Sequence, residues 1–340
     1  MFTVSTMILL AACGSSFGTV RFDTPVADFP AAIATAANGD VLVVGTSYAD
    51  EDIFRVLQLN GDGRLMWQDE YEGAWAAGVV PTASGVSALA VLDDSAMLLL
   101  EYDTGGELGS TSIDTSVQGW DLSQADNGGM AVVGQESGRD FVGIWRGQDW
   151  AWKDYWDDSP PLRSEVHSDG TVTVSGWDET IAAGVLRRYS PDGEQLWQLT
   201  DLCGSEFALT ADGGVIVAGA WGNEQSIHIC RVQPDGTFGW WQTDSVDWED
   251  WIGVSGVAVN AEGRIVLGGT AYERDVPSVV FTRVYDADAN LLWRDRFTGT
   301  DEQFAFGGQV AWGLNGTVYS LGAEWSEDYA LVVRLLTPEL

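Results

Sequence analysis

Seven glycine-containing turns recur along this chain and constrain its fold more than any other feature. Each turn has Asn, Asp, Glu or Ser followed by Gly, as in Asn38-Gly39, and precedes an alternating run rich in β-branched residues. A hairpin turn of two residues needs positive φ, which Gly adopts without strain. The turn glycines are 46, 43, 42, 43, 50 and 53 residues apart: Gly39, Gly85, Gly128, Gly170, Gly213, Gly263 and Gly316.

Each repeat continues with a second hairpin. In the fifth repeat, the strand-like run 215–219 is followed by residues 227–232, a Pro234-Asp235-Gly236 turn and residues 238–241. Four strands in such a repeat match one blade of a β-propeller, in which radial repetition protects the strand edges. We therefore predict an all-β fold: a seven-bladed β-propeller of four-stranded antiparallel blades that occupies residues 19–340 as a single domain.

The two ends of the chain predict how the propeller closes. The last repeat ends at Leu340 without a fourth strand, whereas residues 19–23 form a strand-like run with no repeat of their own. Phe22 lies 17 residues before Gly39, close to the 16 residues between Trp197 and Gly213. We expect this N-terminal strand to complete the last blade. The alternative is a free N-terminal linker.

The segment Arg188-Tyr189-Ser190-Pro191-Asp192-Gly193-Glu194-Gln195-Leu196-Trp197 resembles the repeats of bacterial extracytoplasmic β-propellers. These include repeats related to those of pyrroloquinoline-quinone enzymes. The resemblance covers residues 19–340. It implies a fold and says little about activity, because one fold hosts many functions.

Two kinds of side chain recur within the repeats. An Asp-x4-Trp pattern resembles part of the Asp-box of sialidase-type propellers, without its Ser/Thr and Gly spacing. We interpret it as structural, with Asp accepting turn N–H groups and Trp covering the space between blades. Six arginines are assigned to one repeat position, late in the third strand, and are interpreted as partners of neighbouring acids. The sets are Asp62/Trp67, Asp192/Trp197, Asp235/Trp240 and Asp288/Trp293, and Arg55, Arg146, Arg188, Arg231, Arg283 and Arg334.

The first thirteen residues end in Leu10-Ala11-Ala12-Cys13, which resembles a bacterial lipobox. The resemblance implies that residues 1–12 are a signal peptide, that Cys13 is lipidated and that residues 13–18 are a short tether. It places the protein in the bacterial cell envelope, with Gly14 favouring the outer membrane. The sequence departs from the pattern because no Lys or Arg precedes Arg21. An apolar first strand ending at a chance cysteine is the alternative.

Cys203 and Cys230 are the other two cysteines of the chain. In an exported protein such an even pair is compatible with a disulfide. Two unpaired buried thiols remain an equal alternative, because spacing in sequence does not fix the distance between the Cα atoms.

Acidic residues dominate the charge: 51 Asp and Glu against 16 Lys and Arg give −35. This charge argues against nucleic acid as a partner, and 45% apolar residues argue against disorder. We predict that the loops between second and third strands share one acidic and aromatic face. Its candidate binding residues are Tyr48, Asp50, Glu51, Asp52, Trp177, Asp178, Glu179, Trp221, Glu224, Tyr272, Glu273, Asp275, Trp325, Glu327 and Asp328.

This face has two interpretations. It is a binding surface for Ca²⁺, a sugar chain or a basic partner, or its acids serve solubility alone. No Asp-x-Asp-x-Asp-Gly loop is present, so no metal site is assigned.

Catalytic residues and cofactors cannot be identified in the sequence. The chain has two histidines, His167 and His228, and neither belongs to a recognisable triad or metal cluster. We predict a monomeric, lipid-anchored propeller that presents a binding or scaffolding surface to a protein or glycan, rather than an enzyme. The alternative is a carbohydrate-active enzyme that uses carboxylates of the predicted acidic face.

Overall fold

The computed structural model describes residues 6–11, 18–23, 27–48, 52–92, 96–124, 128–157, 159–220, 225–246, 251–273, 276–298, 305–325 and 329–338. These residues form 29 strands and one 3₁₀ turn. None of them lies in a helix long and apolar enough to cross a membrane.

The strands assemble into seven antiparallel sheets, one for each predicted repeat. Blade 1 contains β3 (Ala27–Thr35), β4 (Val41–Tyr48), β5 (Ile53–Leu59) and β6 (Leu65–Glu72). Blade 2 contains β7 (Ala74–Thr82), β8 (Gly85–Leu92), β9 (Ala96–Asp103) and β10 (Leu108–Asp114). Blade 3 contains β11 (Val117–Gln124), β12 (Met130–Glu136), β13 (Arg139–Arg146) and β14 (Asp149–Trp156). Blade 4 contains β15 (Pro161–Val166), β16 (Val172–Asp178), β17 (Ala183–Tyr189) and β18 (Gln195–Leu202).

The remaining blades follow the same plan. Blade 5 contains β19 (Glu206–Leu209), β20 (Val215–Gly219), β21 (Ser226–Val232) and β22 (Phe238–Ser245). Blade 6 contains β23 (Trp251–Val259), β24 (Ile265–Glu273), β25 (Val276–Tyr285) and β26 (Leu291–Phe297). Blade 7 contains β27 (Ala305–Trp312), β28 (Val318–Trp325) and β29 (Tyr329–Leu336), joined by β2 (Gly18–Asp23) and β1 (Thr6–Ala11). The seven-bladed β-propeller is thereby confirmed.

The chain divides into two compact units. The first comprises residues 1–76, 222–225 and 246–340, and the second comprises residues 77–221 and 226–245. The first unit therefore holds blades 1, 6 and 7, and the second holds most of blade 2 and blades 3, 4 and 5.

All seven predicted turn glycines have positive φ, from 77° at Gly316 to 152° at Gly85. At Gly39, Gly170, Gly213 and Gly263 the turn differs from the two-residue form predicted from the sequence. At Gly170, for example, the Gly170 N–H donates to the His167 carbonyl at 2.8 Å and the His167 N–H donates to the Thr171 carbonyl at 2.8 Å. Three residues thus lie between the paired strands, so the glycine occupies the left-handed position that ends a type I turn.

The N-terminal strand completes blade 7, as predicted. Strand β2 pairs antiparallel with β29, with Val20 opposite Val333 and Phe22 opposite Leu331. Val20 is fully buried and Phe22 is 7% exposed. Strand β1 adds a fifth strand outside β2. Cleavage of residues 1–12 as a signal peptide stays a prediction. The predicted lipidation site, Cys13, and residues 14–17 of the tether lie outside the described residues.

The apolar core lies between neighbouring blades, because each sheet presents alternate side chains to the sheet beside it. In the first unit, Val43 and Leu59 of blade 1 pack with Leu321 and Val333 of blade 7. In the second unit, Val133 of blade 3 packs in the same way with residues of blade 4. Full burial of one such side chain contributes roughly 1.5–3 kcal/mol.

Four of the repeated arginines pair with acidic residues, as predicted: Arg55, Arg188, Arg231 and Arg334. The arginines do not share one position in the repeat. Arg188 is 5% exposed and donates to the carbonyls of Gly213 at 3.0 Å and Pro234 at 3.2 Å in the next blade. Arg188 and Arg231 each lie opposite the repeated tryptophan of the fourth strand. Arg55 instead lies opposite Glu70, with which it forms an ion pair.

Candidate functional site

Exposed aromatic side chains mark the ends of strands in the first unit. Trp251 and Tyr272 lie opposite each other on β23 and β24, with ring centroids 5.3 Å apart. Their exposed fractions are 44% and 42%. Tyr48, at the end of β4, is 49% exposed and contacts the ring of Phe29 edge-on at 5.0 Å. Asp52 lies directly before β5 of the same blade and is half-buried.

In the second unit, Trp177 and Asp178 end strand β16 and Glu179 begins the turn after it. Trp177 is half-buried, and Glu179 is exposed. Asp178 accepts hydrogen bonds from the Thr180 hydroxyl at 2.5 Å and the Thr180 N–H at 2.8 Å, which lower the pKa of its carboxyl. One carboxylate oxygen of Asp178 therefore stabilises its own loop.

Much of the predicted face lies outside the described residues, and the face as a whole stays a prediction. Tyr272 is the predicted residue that the structure places against a second exposed aromatic ring. The described residues contain no cluster of three His, Cys, Asp or Glu that could hold a metal ion, and Ca²⁺ stays a prediction. The predicted residues outside the description are Asp50, Glu51, Trp221, Glu224, Asp275, Glu327 and Asp328, together with the side chains of Glu273 and Trp325.

A second group of charged residues lies on the first strands of blades 3, 4 and 5. Asp121, Arg163 and Glu206 pair with Val133, Ser175 and Ala218, each of which directly precedes a glycine. The three residues therefore occupy one repeat position in consecutive blades. Arg163 Nε lies 2.6 Å from a carboxylate oxygen of Glu206. Asp121 accepts the Ser164 N–H at 2.8 Å.

Glu165 adds a third carboxylate to this group and accepts the Leu209 N–H at 3.1 Å. Burial raises the pKa of Glu165 to about 7 and that of Glu206 to about 7, although Arg163 opposes both shifts. Burial also raises the pKa of Asp121. The charge of Arg163 is disfavoured by burial, but Glu206, Asp121 and Glu165 outweigh that effect and raise its pKa. We name these four residues the inner charged cluster.

The inner charged cluster was not predicted from the sequence, because its residues lie on strands and the predicted acidic face comprises loops. The sequence did contain a signal for this cluster. Two charged residues, Arg163 and Glu165, lie within the short strand that precedes an Asp-Gly turn. The register could not be obtained from spacing, since irregularities between Gly119 and Asp121 and between Pro161 and Arg163 shift the pairing. Such bulges change which face of the sheet a side chain occupies.

Cys203 and Cys230 are buried free thiols in the structure. The Cys203 thiol donates to the Val217 carbonyl at 3.2 Å. Burial, together with the neighbouring Cys230, raises the pKa of Cys203 well above its usual value. A raised pKa disfavours the reactive thiolate of Cys203. Both cysteines pack as small side chains of the core between blades 4 and 5.

Comparison with solved structures identifies the same fold elsewhere. Streptogramin B lyase superposes with a TM-score of 0.63 at 14% identity, covering 94% of this chain and 98% of that one. The Cps50 (Swd1) β-propeller domain of Myceliophteria thermophila gives 0.61 at 8% identity, covering 90% and 96%. The C-terminal WD40 domain of Sif2 gives 0.59 at 11% identity, covering 94% and 90%.

These likenesses show the fold alone, because an enzyme and WD40-type domains match about equally well. No protein-family model matches the chain, and no curated protein does. The resemblance to bacterial extracytoplasmic repeats and the lipoprotein interpretation therefore stay predictions.

Proposed function

We propose that this protein is a lipid-anchored β-propeller of the bacterial cell envelope that binds a protein or glycan through its exposed aromatic and acidic loop residues. The β-propeller fold suggests a binding or scaffolding role. The observation that carries the proposal is the exposed pair of Trp251 and Tyr272 in a protein with a net charge of −35. Exposed aromatic rings suit sugar rings or cationic groups, and the acidic surface attracts basic partners.

The binding role is tested on the full chain with the double variant Trp251→Ala, Tyr272→Ala. The probes are CaCl₂, chitotetraose and maltoheptaose, and the measurement is the shift in thermal midpoint. A ligand at a hundred times its dissociation constant stabilises the folded state by about 2.7 kcal/mol. We expect one probe to shift the wild-type midpoint and the double variant to lose that shift. Phe238→Ala is the matched control, since Phe238 is 50% exposed on blade 5.

A wild-type protein that responds to none of these probes, or a control that loses the shift equally, contradicts a glycan or calcium role for the pair. Anchoring is tested separately with Cys13→Ser. We expect this variant to lose labelling by a radioactive fatty acid and to leave the membrane fraction. Retention of both properties would exclude the lipobox interpretation.

The inner charged cluster favours a second candidate function, a carbohydrate-active enzyme. Glycoside hydrolysis uses one protonated and one ionised carboxyl group, and burial raises the pKa of both Glu165 and Glu206 to about 7. Release of reducing sugar from oligosaccharides, abolished separately in Glu165→Gln and Glu206→Gln, would support this function. Activity that persists in both variants would exclude these residues as its acid and base.

A further inference from the structure

A cavity of about 250 Å³ lies between blades 2 and 3, within the second unit. Strands β9 and β10 form one side of it, and the ends of β12 and β13 with the turn after β13 form the other. Most of its polar wall comes from blade 2. Its lining includes Glu101, Ser110, Ser112, Trp145, Gly147 and Gln148.

The cavity exists because blade 2 lacks the tryptophan of the repeat. Trp197 and Trp240 each lie seven residues after the first residue of the turn between third and fourth strands, and Ser110 has the same position after Asp103. In blade 4 this tryptophan covers the neighbouring turn, since a Cβ built on Gly236 would lie 2.8 Å from Trp197 Cγ. A Cβ built on Gly147 meets nothing within 4 Å.

The residue opposite this position also differs in charge. Arg188 faces Trp197 and Arg231 faces Trp240, whereas Glu101 faces Ser110. Since alternate residues of a strand share a face, the hydroxyls of Ser110 and Ser112 point to the same side of blade 2 as Glu101. The Ser110 hydroxyl donates to the Glu101 carboxylate, and the Ser112 hydroxyl donates to the Gly147 carbonyl at 3.3 Å.

We propose that this cavity binds a single sugar ring, either neutral or bearing an amino group. Its volume lies just below the range of about 300–1,000 Å³ typical of small-molecule sites. Glu101 accepts hydrogen bonds from sugar hydroxyl or ammonium groups, and Ser110 and Ser112 both donate and accept. Trp145, which is 5% exposed, adds an aromatic edge to the wall, against which an apolar edge of the pyranose packs.

The carboxylate also sets the specificity of the site. An ammonium group on the sugar forms a charge-assisted hydrogen bond with Glu101, whereas the carboxylate of a uronic acid is repelled. Glucosamine therefore binds more tightly than glucose, and glucuronate is excluded. The cavity shares no residue with the Trp251 and Tyr272 pair. Each binding proposal can therefore be disproved without affecting the other.

The test uses saturation-transfer NMR on the full chain with glucose, glucosamine and glucuronate, followed by calorimetric titration of the sugar that binds. Ser110→Trp restores the side chain of the other blades, fills the cavity and should abolish binding. Leu108→Trp is the matched control, because Leu108 is on the same strand, is 42% exposed and does not line the cavity. Glu101→Gln preserves the shape and should weaken glucosamine at least about tenfold, with a smaller effect on glucose.

The proposal is overturned if neither glucose nor glucosamine binds the wild-type chain. It is also overturned if Ser110→Trp binds as well as wild type while folded, or if Leu108→Trp loses binding equally. If Ser110→Trp does not fold, the Glu101→Gln result decides. Equal affinities of wild type and Glu101→Gln for glucosamine then exclude this cavity as the site.

Discussion

The boundary between blades 2 and 3 differs from the two boundaries that follow it in the second unit. Between blades 3 and 4, the Trp152 indole N–H donates to the Pro191 carbonyl at 3.0 Å, and between blades 4 and 5 Trp197 donates to Pro234 at 3.2 Å. Between blades 2 and 3, Ser112 donates to Gly147 at 3.3 Å instead, beside the open cavity. The two later boundaries are closed by an indole of the preceding blade. At the first, the Trp150 indole of blade 3 donates to Asp114 of blade 2 at 2.9 Å, and the turn carbonyl accepts from Ser112.

This difference shows that one repeat contact combines two functions. An indole fills space and satisfies a carbonyl at once, whereas a serine satisfies the carbonyl and leaves the space open. The repeat tolerates the exchange because Gly147 is exposed, so its carbonyl accepts a hydrogen bond from Ser112 or from water at little cost. At the boundary between blades 2 and 3, the carbonyl is therefore satisfied while the cavity stays accessible.

The largest effect is expected from removing an indole at a closed boundary. Trp197→Ala should destabilise the protein by roughly 2–3 kcal/mol, somewhat below the cost for a fully buried Trp, because Trp197 is half-buried. Ser112→Ala at the open boundary should cost under about 1 kcal/mol. Urea denaturation of both variants measures the contrast. Equal losses would show that the tryptophan contributes little beyond its hydrogen bond.

A smaller effect is expected from the turn glycines. Gly147 and Gly236 have φ of 68° and 82°, so alanine at either position introduces backbone strain of about 1–2 kcal/mol. Gly236→Ala must also displace the Trp197 ring, whereas Gly147→Ala meets open space. We expect Gly236→Ala to lower the urea midpoint more than Gly147→Ala. The reverse order would indicate that the cavity closes over Gly147 in solution.

The smallest effect is expected from pH, and it should arise in the inner charged cluster. The pKa of Glu165 is about 7 in the folded protein against an ordinary value of 4.5. Unfolding therefore releases a proton between these values, so this group's stabilising contribution is complete below pH 4.5 and is lost as pH rises through 7. Glu165→Gln should reduce the fall in stability between pH 4.5 and 8 by about 1 kcal/mol, a value discounted for partial exposure.

His167 complicates the wild-type curve. Burial lowers its pKa from 6.5 to about 4, so its contribution is present above pH 6.5 and is lost as pH falls. The difference between Glu165→Gln and wild type removes this common effect. Parallel stability curves for the two proteins would refute the assignment of the pH dependence to Glu165.

The repeat predicted the fold because its signals are local. Gly39 and its six counterparts occur at turn positions that need positive φ. The spacing of Phe22 predicts the closing strand without knowledge of the register. The six arginines were wrongly assigned to one position, since Arg55 lies seven residues before Asp62 whereas Arg188 lies four before Asp192. The cavity was also missed, although the sequence shows that the Asp-x4-Trp pattern is absent from the second repeat.

The pairing of β2 with β29 also sets an order of events during synthesis. More than 300 residues separate Asp23 from Tyr329. At a synthesis rate of about 5–20 residues per second, strand β2 therefore waits roughly 15–60 s for β29. Blade 1 can complete its own sheet within that time, while blade 7 cannot. The last blade to form is thus the one whose outer strand emerged first, and premature termination would leave that strand as an unprotected, aggregation-prone edge.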